Sequence, residues 1–230
     1  ANTDARPVCY RETAFLWLGK FLPVADVAGF ADRRAGVGLL ALATTLLALS
    51  RVRAAGRRIA LVAVAGFAGM ATESVVLLRF QAESGSLYRD IGVLLTSFMA
   101  GLAAGAFAFD RVASRSRGVK RWWGGALLAA LALLECGLSW TAERGGFLFT
   151  LGPSAAFLGA AGVLAAGLFG YASRFAVGDQ EAVVSPLYAG DLLGGCAGAI
   201  LSGLFLLPLV GAGAVSAGMA LLALAAILTL

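Results

Sequence analysis

Histidine is absent from this chain of 230 residues, and its absence excludes several kinds of chemistry. Without imidazole there is no bis-histidine haem ligation, no histidine-containing zinc site and no Ser-His-Asp triad. Glycine pairs such as Gly124-Gly125 and Gly194-Gly195 lie within apolar runs, whereas a dinucleotide-binding loop joins a strand to a helix. The sequence therefore predicts no cofactor, no metal and no catalytic residue.

Cysteine is scarce as well. The three cysteines, Cys9, Cys136 and Cys196, are far apart and form no CxxC pair. Cys136 and Cys196 lie within apolar runs, where a cysteine usually packs as a small hydrophobic residue. Cys9 is expected to be a free thiol, and a disulfide to a partner chain is the alternative.

Charged residues make up only 13% of the chain, compared with roughly 25% in soluble globular domains. Hydrophobic residues make up 60%, and the mean hydropathy is +0.88. This small number of charged residues is not enough to cover a water-exposed surface. Lipid is therefore predicted to surround most of the chain. The net charge of +5 does not indicate nucleic-acid binding, because the basic residues form short clusters between apolar runs.

The apolar runs recur regularly and predict an all-α, polytopic transmembrane helix bundle over residues 35–230. A span needs about 20 apolar residues to cross the hydrocarbon core. The first predicted span has 16 residues and reaches only about 24 Å, so Arg34 and Arg51 must extend their charged ends to the interfaces. The seven predicted spans are 35–50, 58–80, 90–110, 122–142, 151–174, 186–208 and 211–230.

Residues 1–34 form a separate N-terminal region in this interpretation. Residues 1–12 are polar, and residues 13–34 mix aromatic and aliphatic side chains with charges. No uncharged run in this region is long enough to span a membrane. It is therefore predicted to be an extracytoplasmic tail followed by an amphipathic interfacial helix, with Trp17 at headgroup depth. The chain begins at Ala1, which a removed signal peptide or a longer polypeptide would each explain.

The distribution of basic residues predicts the orientation. Two alternate loops, 51–58 and 111–121, contain nine basic residues: Arg51, Arg53, Arg57, Arg58, Arg111, Arg115, Arg117, Lys120 and Arg121. The other short loops contain Arg89 and Arg144, offset by Glu83 and Glu143. Because cytoplasmic loops are enriched in Lys and Arg, the basic loops are predicted to be cytoplasmic, the N-terminus outside and the C-terminus inside.

Small residues recur at helical spacing in two of the predicted spans. Gly190, Gly194 and Gly198 are four residues apart, as are Gly101 and Gly105. In lipid, small residues let helix backbones approach closely, and this close packing drives association. These glycines are predicted to pack helices within the bundle, and a docking face for another subunit is the alternative.

Four ionisable residues lie within predicted spans: Glu73, Arg79, Glu135 and Asp191. Each costs about 2.5 to 3.5 kcal/mol at bilayer depth and normally faces the bundle interior with a partner. Glu73 and Glu135 are either cation or proton sites in a transport path or buried, neutral or hydrogen-bonded carboxyls that fix helix register. Candidate partners are Thr72, Ser74, Thr96 and Ser97.

Helix geometry separates two of these ionisable residues. Arg79 follows Glu73 by six residues, about 120° around the helix, so the two need not pair. Asp191 is predicted near the start of its helix, where the helix dipole would stabilise its charge.

Two stretches, over about residues 60–211, resemble the membrane half of bacterial spermidine-synthase-like integral membrane proteins. The first contains Gly66-Phe67, Glu73 and Leu78-Arg79, and the second contains Tyr188-Ala189-Gly190-Asp191, Gly194 and Leu206-Leu207-Pro208. The resemblance singles out Glu73, Arg79, Tyr188 and Asp191 as polar positions without assigning them a chemistry. Family members often carry a soluble aminopropyltransferase-like domain, and no segment here is able to form one.

These features lead to two functional hypotheses for a multi-pass protein of the bacterial cytoplasmic membrane. The first is a non-catalytic subunit that acts as a scaffold or anchor, with the lipid bilayer and other membrane or extracytoplasmic subunits as partners. The alternative is a transporter of a small solute, cation or polyamine that uses Glu73, with Glu135 or Asp191 as a second acid. A membrane enzyme acting on lipid or polyamine is the least favoured class.

Overall fold

The computed structural model describes residues 54–84, 88–116, 118–144, 150–174, 181–228 and 230, and all regular secondary structure within these ranges is helical. The interfacial helix predicted over 13–34 and the span predicted over 35–50 lie outside the described residues. The first four helices are α1 (Ala54–Ser84), α2 (Tyr88–Arg115), α3 (Arg121–Arg144) and α4 (Leu151–Arg174).

The fifth helix, α5, changes its winding along its length. It is α-helical over Glu181–Ile200, π-helical over Leu201–Leu206 and α-helical again over Leu207–Val210. Proline has no N–H to donate and its ring crowds the carbonyl four residues earlier, and the wide π-helical segment ends just before Pro208. Gly211 then adopts a φ of 82°, a conformation that favours glycine, and α6 follows over Ala212–Ile227.

Five of the helices are long and apolar enough to cross a membrane: Gly56–Ser84, Tyr88–Arg115, Arg121–Ala142, Leu151–Arg174 and Val184–Val210. They correspond to the second through sixth predicted spans. The helix at the position of the seventh predicted span, α6, has 16 residues, which extend about 24 Å. The described part of the chain is therefore an all-helical bundle with five membrane-length helices and one shorter apolar helix.

α1 lies at the centre of the described bundle. It packs against α5 on one side and against α4 and α6 on other sides. Helix α2 packs on α4, and helix α3 packs on both α6 and α4. Two apolar clusters fill the interior. One surrounds Leu61, Leu128 and Leu168, and the other surrounds Val75 and Phe80.

Glycines of α5 lie directly against the backbone of α1. A Cβ atom at Gly194 would overlap the carbonyl group of Ala63, and one at Gly198 would lie 2.5 Å from the carbonyl oxygen of Phe67. Because both residue numbers rise together along this contact, α1 and α5 run parallel. Gly190 extends the same contact, since its Cβ would lie 2.9 Å from Ile59 Cγ2.

A second glycine contact joins α2 to α4, again with parallel helices. A Cβ atom at Gly101 would overlap the carbonyl group of Gly159, and one at Gly105 would overlap that of Val163. On the α4 side, a Cβ at Gly162 would overlap the carbonyl oxygen of Phe98. Both glycine series of the sequence thus lie where two helix backbones touch.

Basic side chains gather at one end of the bundle. Tyr171, near the end of α4, lies within electrostatic reach of Arg57 at the start of α1 and Arg121 at the start of α3. Arg174 forms an ion pair with Asp110 near the end of α2. The name basic end is used below for the end of the bundle where α1 and α3 begin and where α2 and α4 end.

Candidate functional site

Glu73 is buried in the bundle, with 6% of its surface exposed. Glu73 follows Gly66 by seven residues of α1, which is about two helical turns. The two residues therefore lie within about 20° of each other around the helix, on one stripe of its surface. Glu73 forms no hydrogen bond or ion pair with another residue of the described ranges. An acid at this depth that has no partner among the described residues differs from an ordinary structural carboxyl, which is hydrogen-bonded.

Asp191 of α5 lies against the same stripe of α1. A Cβ atom at Gly66 would lie 2.6 Å from the carbonyl oxygen of Asp191 and 2.7 Å from its Oδ1. The carboxyl group therefore reaches α1 only because Gly66 has no side chain. Asp191 is half-buried and, like Glu73, has no hydrogen-bonding or ionic partner among the described residues.

The helix-dipole explanation for Asp191 is wrong in the structure. It assumed that the helix begins close to this residue, but α5 begins at Glu181. Asp191 is therefore ten residues into the helix, and the stabilisation of an anion by the helix dipole falls off within the first turn. The position of Asp191 is explained by its contact with Gly66 and not by the end of the helix.

Gly66, Glu73 and Asp191 together form what we call the acidic stripe. Seven residues of helix separate the level of Gly66 and Asp191 from that of Glu73, which corresponds to about 10 Å along the helix axis. Two carboxyl groups are thus placed one after the other along this stripe of α1. No group of three or more Asp, Glu, Cys or His side chains suited to a metal ion occurs within the described residues.

Glu135 does not belong to the acidic stripe. It lies on α3, is fully buried, and its Oε1 is hydrogen-bonded to the hydroxyl group of Thr72. Thr72 and Glu73 are neighbours in sequence but point about 100° apart around α1. The structure therefore separates Glu135 from Glu73, and it brings Asp191 and not Glu135 to the same stripe as Glu73.

The two remaining polar candidates lie elsewhere. Arg79 is buried and forms an ion pair with Glu83 one turn later, with 2.9 Å between Nη2 and Oε1. Tyr188 is 57% exposed on the outer side of α5 and contributes to neither carboxyl site. Of the proposed hydroxyl partners, Thr72 contacts Glu135, whereas the other three donate to carbonyl oxygens of their own helices: Ser74, Thr96 and Ser97.

Two buried serines are not among the residues that the sequence predicts to be functional. Ser202 lies in the π-helical segment and Ser216 in α6, and both are fully buried with hydroxyl groups that have no hydrogen-bond partner among the described residues. In the sequence each of them is only a single serine in an apolar span, and such a serine commonly donates to the backbone of its own helix. Only the packing of the helices distinguishes these two.

No family model matches the chain, and no curated protein or solved structure matches it. The resemblance to spermidine-synthase-like membrane proteins therefore stays a prediction.

Proposed function

We propose that this chain is a multi-pass protein of the bacterial cytoplasmic membrane that moves a small cation along the acidic stripe. The observation that carries the proposal is the pair of carboxyl groups, Glu73 and Asp191, along one stripe of α1 and without a cationic partner among the described residues. Intramembrane acids typically line ion or proton pathways. Five membrane-length helices supply the surrounding bundle.

The orientation follows from the basic end. Cytoplasmic loops are enriched in Lys and Arg, so the basic end faces the cytoplasm, the N-terminus lies outside and the C-terminus inside. Asp191 is then nearer the cytoplasmic surface than Glu73, because α1 and α5 both start at the basic end. A cation entering from the cytoplasm would meet Asp191 first and Glu73 about 10 Å later.

The chemistry required of the stripe is charge compensation. A carboxylate at bilayer depth costs about 3 kcal/mol, and a cation bound beside it offsets that cost. A proton neutralises the group directly, whereas Na⁺ or the ammonium group of a polyamine does so by ion pairing. The mechanism therefore alternates between a cation-loaded and an unloaded stripe, with each acid serving as one step of the path.

Flux measurements in proteoliposomes test this role. We expect Glu73→Gln and Asp191→Asn each to lower cation flux at least about tenfold, which corresponds to 1.4 kcal/mol, because each amide keeps the shape of the acid and removes its charge. The probes are an entrapped pH-sensitive dye for protons, radioactive sodium, and labelled spermidine. The matched control is Asp110→Asn, which removes a carboxyl group at the exposed basic end and should leave flux within about twofold. Full flux of all three probes in the Glu73→Gln variant would contradict the proposal.

The scaffold hypothesis remains a second proposal, favoured by the outer face of α2. This helix contacts the bundle chiefly through α4, and its opposite side exposes large apolar side chains, including Phe107 at 68%. A photo-crosslinking residue at Phe107 is expected to capture a protein partner in native membranes. The same residue at exposed Leu133 of α3 is the comparison. Because α3 buries a larger share of its membrane-length segment in the bundle than α2 does, Leu133 is expected to capture lipid alone. Lipid adducts at both positions would count against a subunit that docks through α2.

A further inference from the structure

The hydroxyl group of Thr72 has two hydrogen-bonding neighbours but only one proton to donate. Its Oγ1 lies 2.7 Å from the carbonyl oxygen of Ala68, one turn earlier in α1, and it is also in hydrogen-bonding contact with Oε1 of Glu135. A backbone carbonyl only accepts, and an ionised carboxylate also only accepts. One hydroxyl proton cannot satisfy both acceptors at once.

The conflict disappears when Glu135 carries the second proton. Threonine in a helix commonly donates to the carbonyl four residues earlier, here that of Ala68. The carboxylic acid of Glu135 then donates to the lone pairs of Thr72 Oγ1, and every short contact has one donor and one acceptor. An ionised Glu135 would instead leave charge on Oε2, which is buried and has no hydrogen-bond partner among the described residues.

Within the part of the chain that the structure describes, the charged groups around Glu135 do not supply a counter-ion. α6, which packs closely on α3, has no charged residue over Ala212–Ile227. The titratable residues of α4 are Tyr171 and Arg174, near the basic end. On α1, Glu73 points to another side, and Arg79, about 10 Å beyond Thr72 along the axis, is paired with Glu83.

A buried serine of α6 lies at the level of Glu135. Ser139 of α3 donates to the carbonyl oxygen of Gly213 at 2.8 Å, and Gly124 at the start of α3 lies beside Leu230, so α3 and α6 are antiparallel. Glu135 precedes Ser139 by one turn of α3, and Ser216 follows Gly213 by about one turn of α6. Glu135 and Ser216 are therefore at about the same level of the bundle. Ser216 is fully buried, and neither its hydroxyl group nor Oε2 of Glu135 has a hydrogen-bond partner among the described residues, so the two are not hydrogen-bonded to each other.

We propose that Glu135 and Thr72 form an internal proton-binding site where α3 meets α1. The ligand is a single proton on Glu135, which the carboxylic acid shares with Thr72 Oγ1 in a hydrogen bond. The bound proton fixes α1 to α3 across 63 residues of sequence. This site is separate from the acidic stripe and does not depend on transport.

Infrared difference spectroscopy of the whole protein in lipid tests the site. At neutral pH we expect the C=O stretching band of a protonated carboxyl group, which shifts down in D₂O and is absent in the Glu135→Gln variant. Thr72→Val should move this band to higher frequency, because it removes the hydrogen bond between Thr72 and the acid. Ser202→Ala is the control, since Ser202 is equally buried but lies on α5, and it should leave the band unchanged.

The outcomes separate this site from the transport proposal. A carboxylate band alone at neutral pH, unchanged by Glu135→Gln, would overturn the proton site whatever the flux results. A protonated band that does not respond to Thr72→Val would overturn the role of that threonine. Thr72→Val keeps the volume of threonine, so a loss of the protein from the membrane is not expected. If it occurs, the Glu135→Gln spectrum still decides the protonation state.

Discussion

Replacing Gly101 by leucine is expected to separate α2 from α4 and to destabilise the bundle by at least about 3 kcal/mol, the upper part of the usual range for overpacking. A Cβ atom at this position would overlap the carbonyl oxygen of Gly159 and lie 3.0 Å from its Cα. Both are backbone atoms, so no side-chain rotation relieves the overlap. The two helices must move apart along a contact that small residues keep close.

Gly92→Leu is the matched control because it places the same side chain on the same helix. Gly92 is exposed, and a Cβ atom there meets nothing within 4 Å. We expect Gly101→Leu to lower the thermal midpoint in detergent by about 6 °C or more, at about 2 to 4 °C per kcal/mol, and Gly92→Leu to leave it nearly unchanged. Equal midpoints for the two variants would show that the α2–α4 contact contributes little stability.

The spacing of the glycines was informative because it reflects local geometry. Residues four apart lie on one side of a helix, so Gly194 and Gly198 were expected to share a contact, and the structure places both on α1. The sequence did not indicate which helix would be opposite. That choice depends on how all the helices surround α1, and apolar side chains fit lipid and protein equally well.

The acids show the same limit more clearly. Their depth and cost in the membrane followed from the sequence, but their grouping did not. Glu73 and Asp191 are 118 positions apart by residue number. Only the packing of α5 on α1 brings Asp191 to the stripe of α1 that contains Glu73. Thr72 and Glu135 required the α1–α3 contact in the same way. Helix-to-helix pairing is a property of the packed bundle, whereas periodicity is a property of one helix.

Gly66→Val is expected to have the second large effect, because it acts on the acidic stripe without removing either acid. Its Cβ atom would lie 2.6 Å from the carbonyl oxygen of Asp191 and 2.7 Å from Oδ1. The side-chain oxygen can rotate away, but the backbone oxygen cannot, so α5 must shift and Asp191 must leave its position against α1. We expect cation flux in proteoliposomes to fall at least about tenfold, or 1.4 kcal/mol.

The control for Gly66→Val is Gly195→Ala, which adds a methyl group on the opposite side of the same α1–α5 contact. Its Cβ would meet Met70 Cγ at 3.4 Å, an ordinary contact with a flexible side chain, so flux should stay within about twofold of the parent. The two variants together separate the geometry of the stripe from its charge. If Gly66→Val transports normally while Glu73→Gln does not, then Asp191 takes no part in the path, and the cation depends on Glu73 alone.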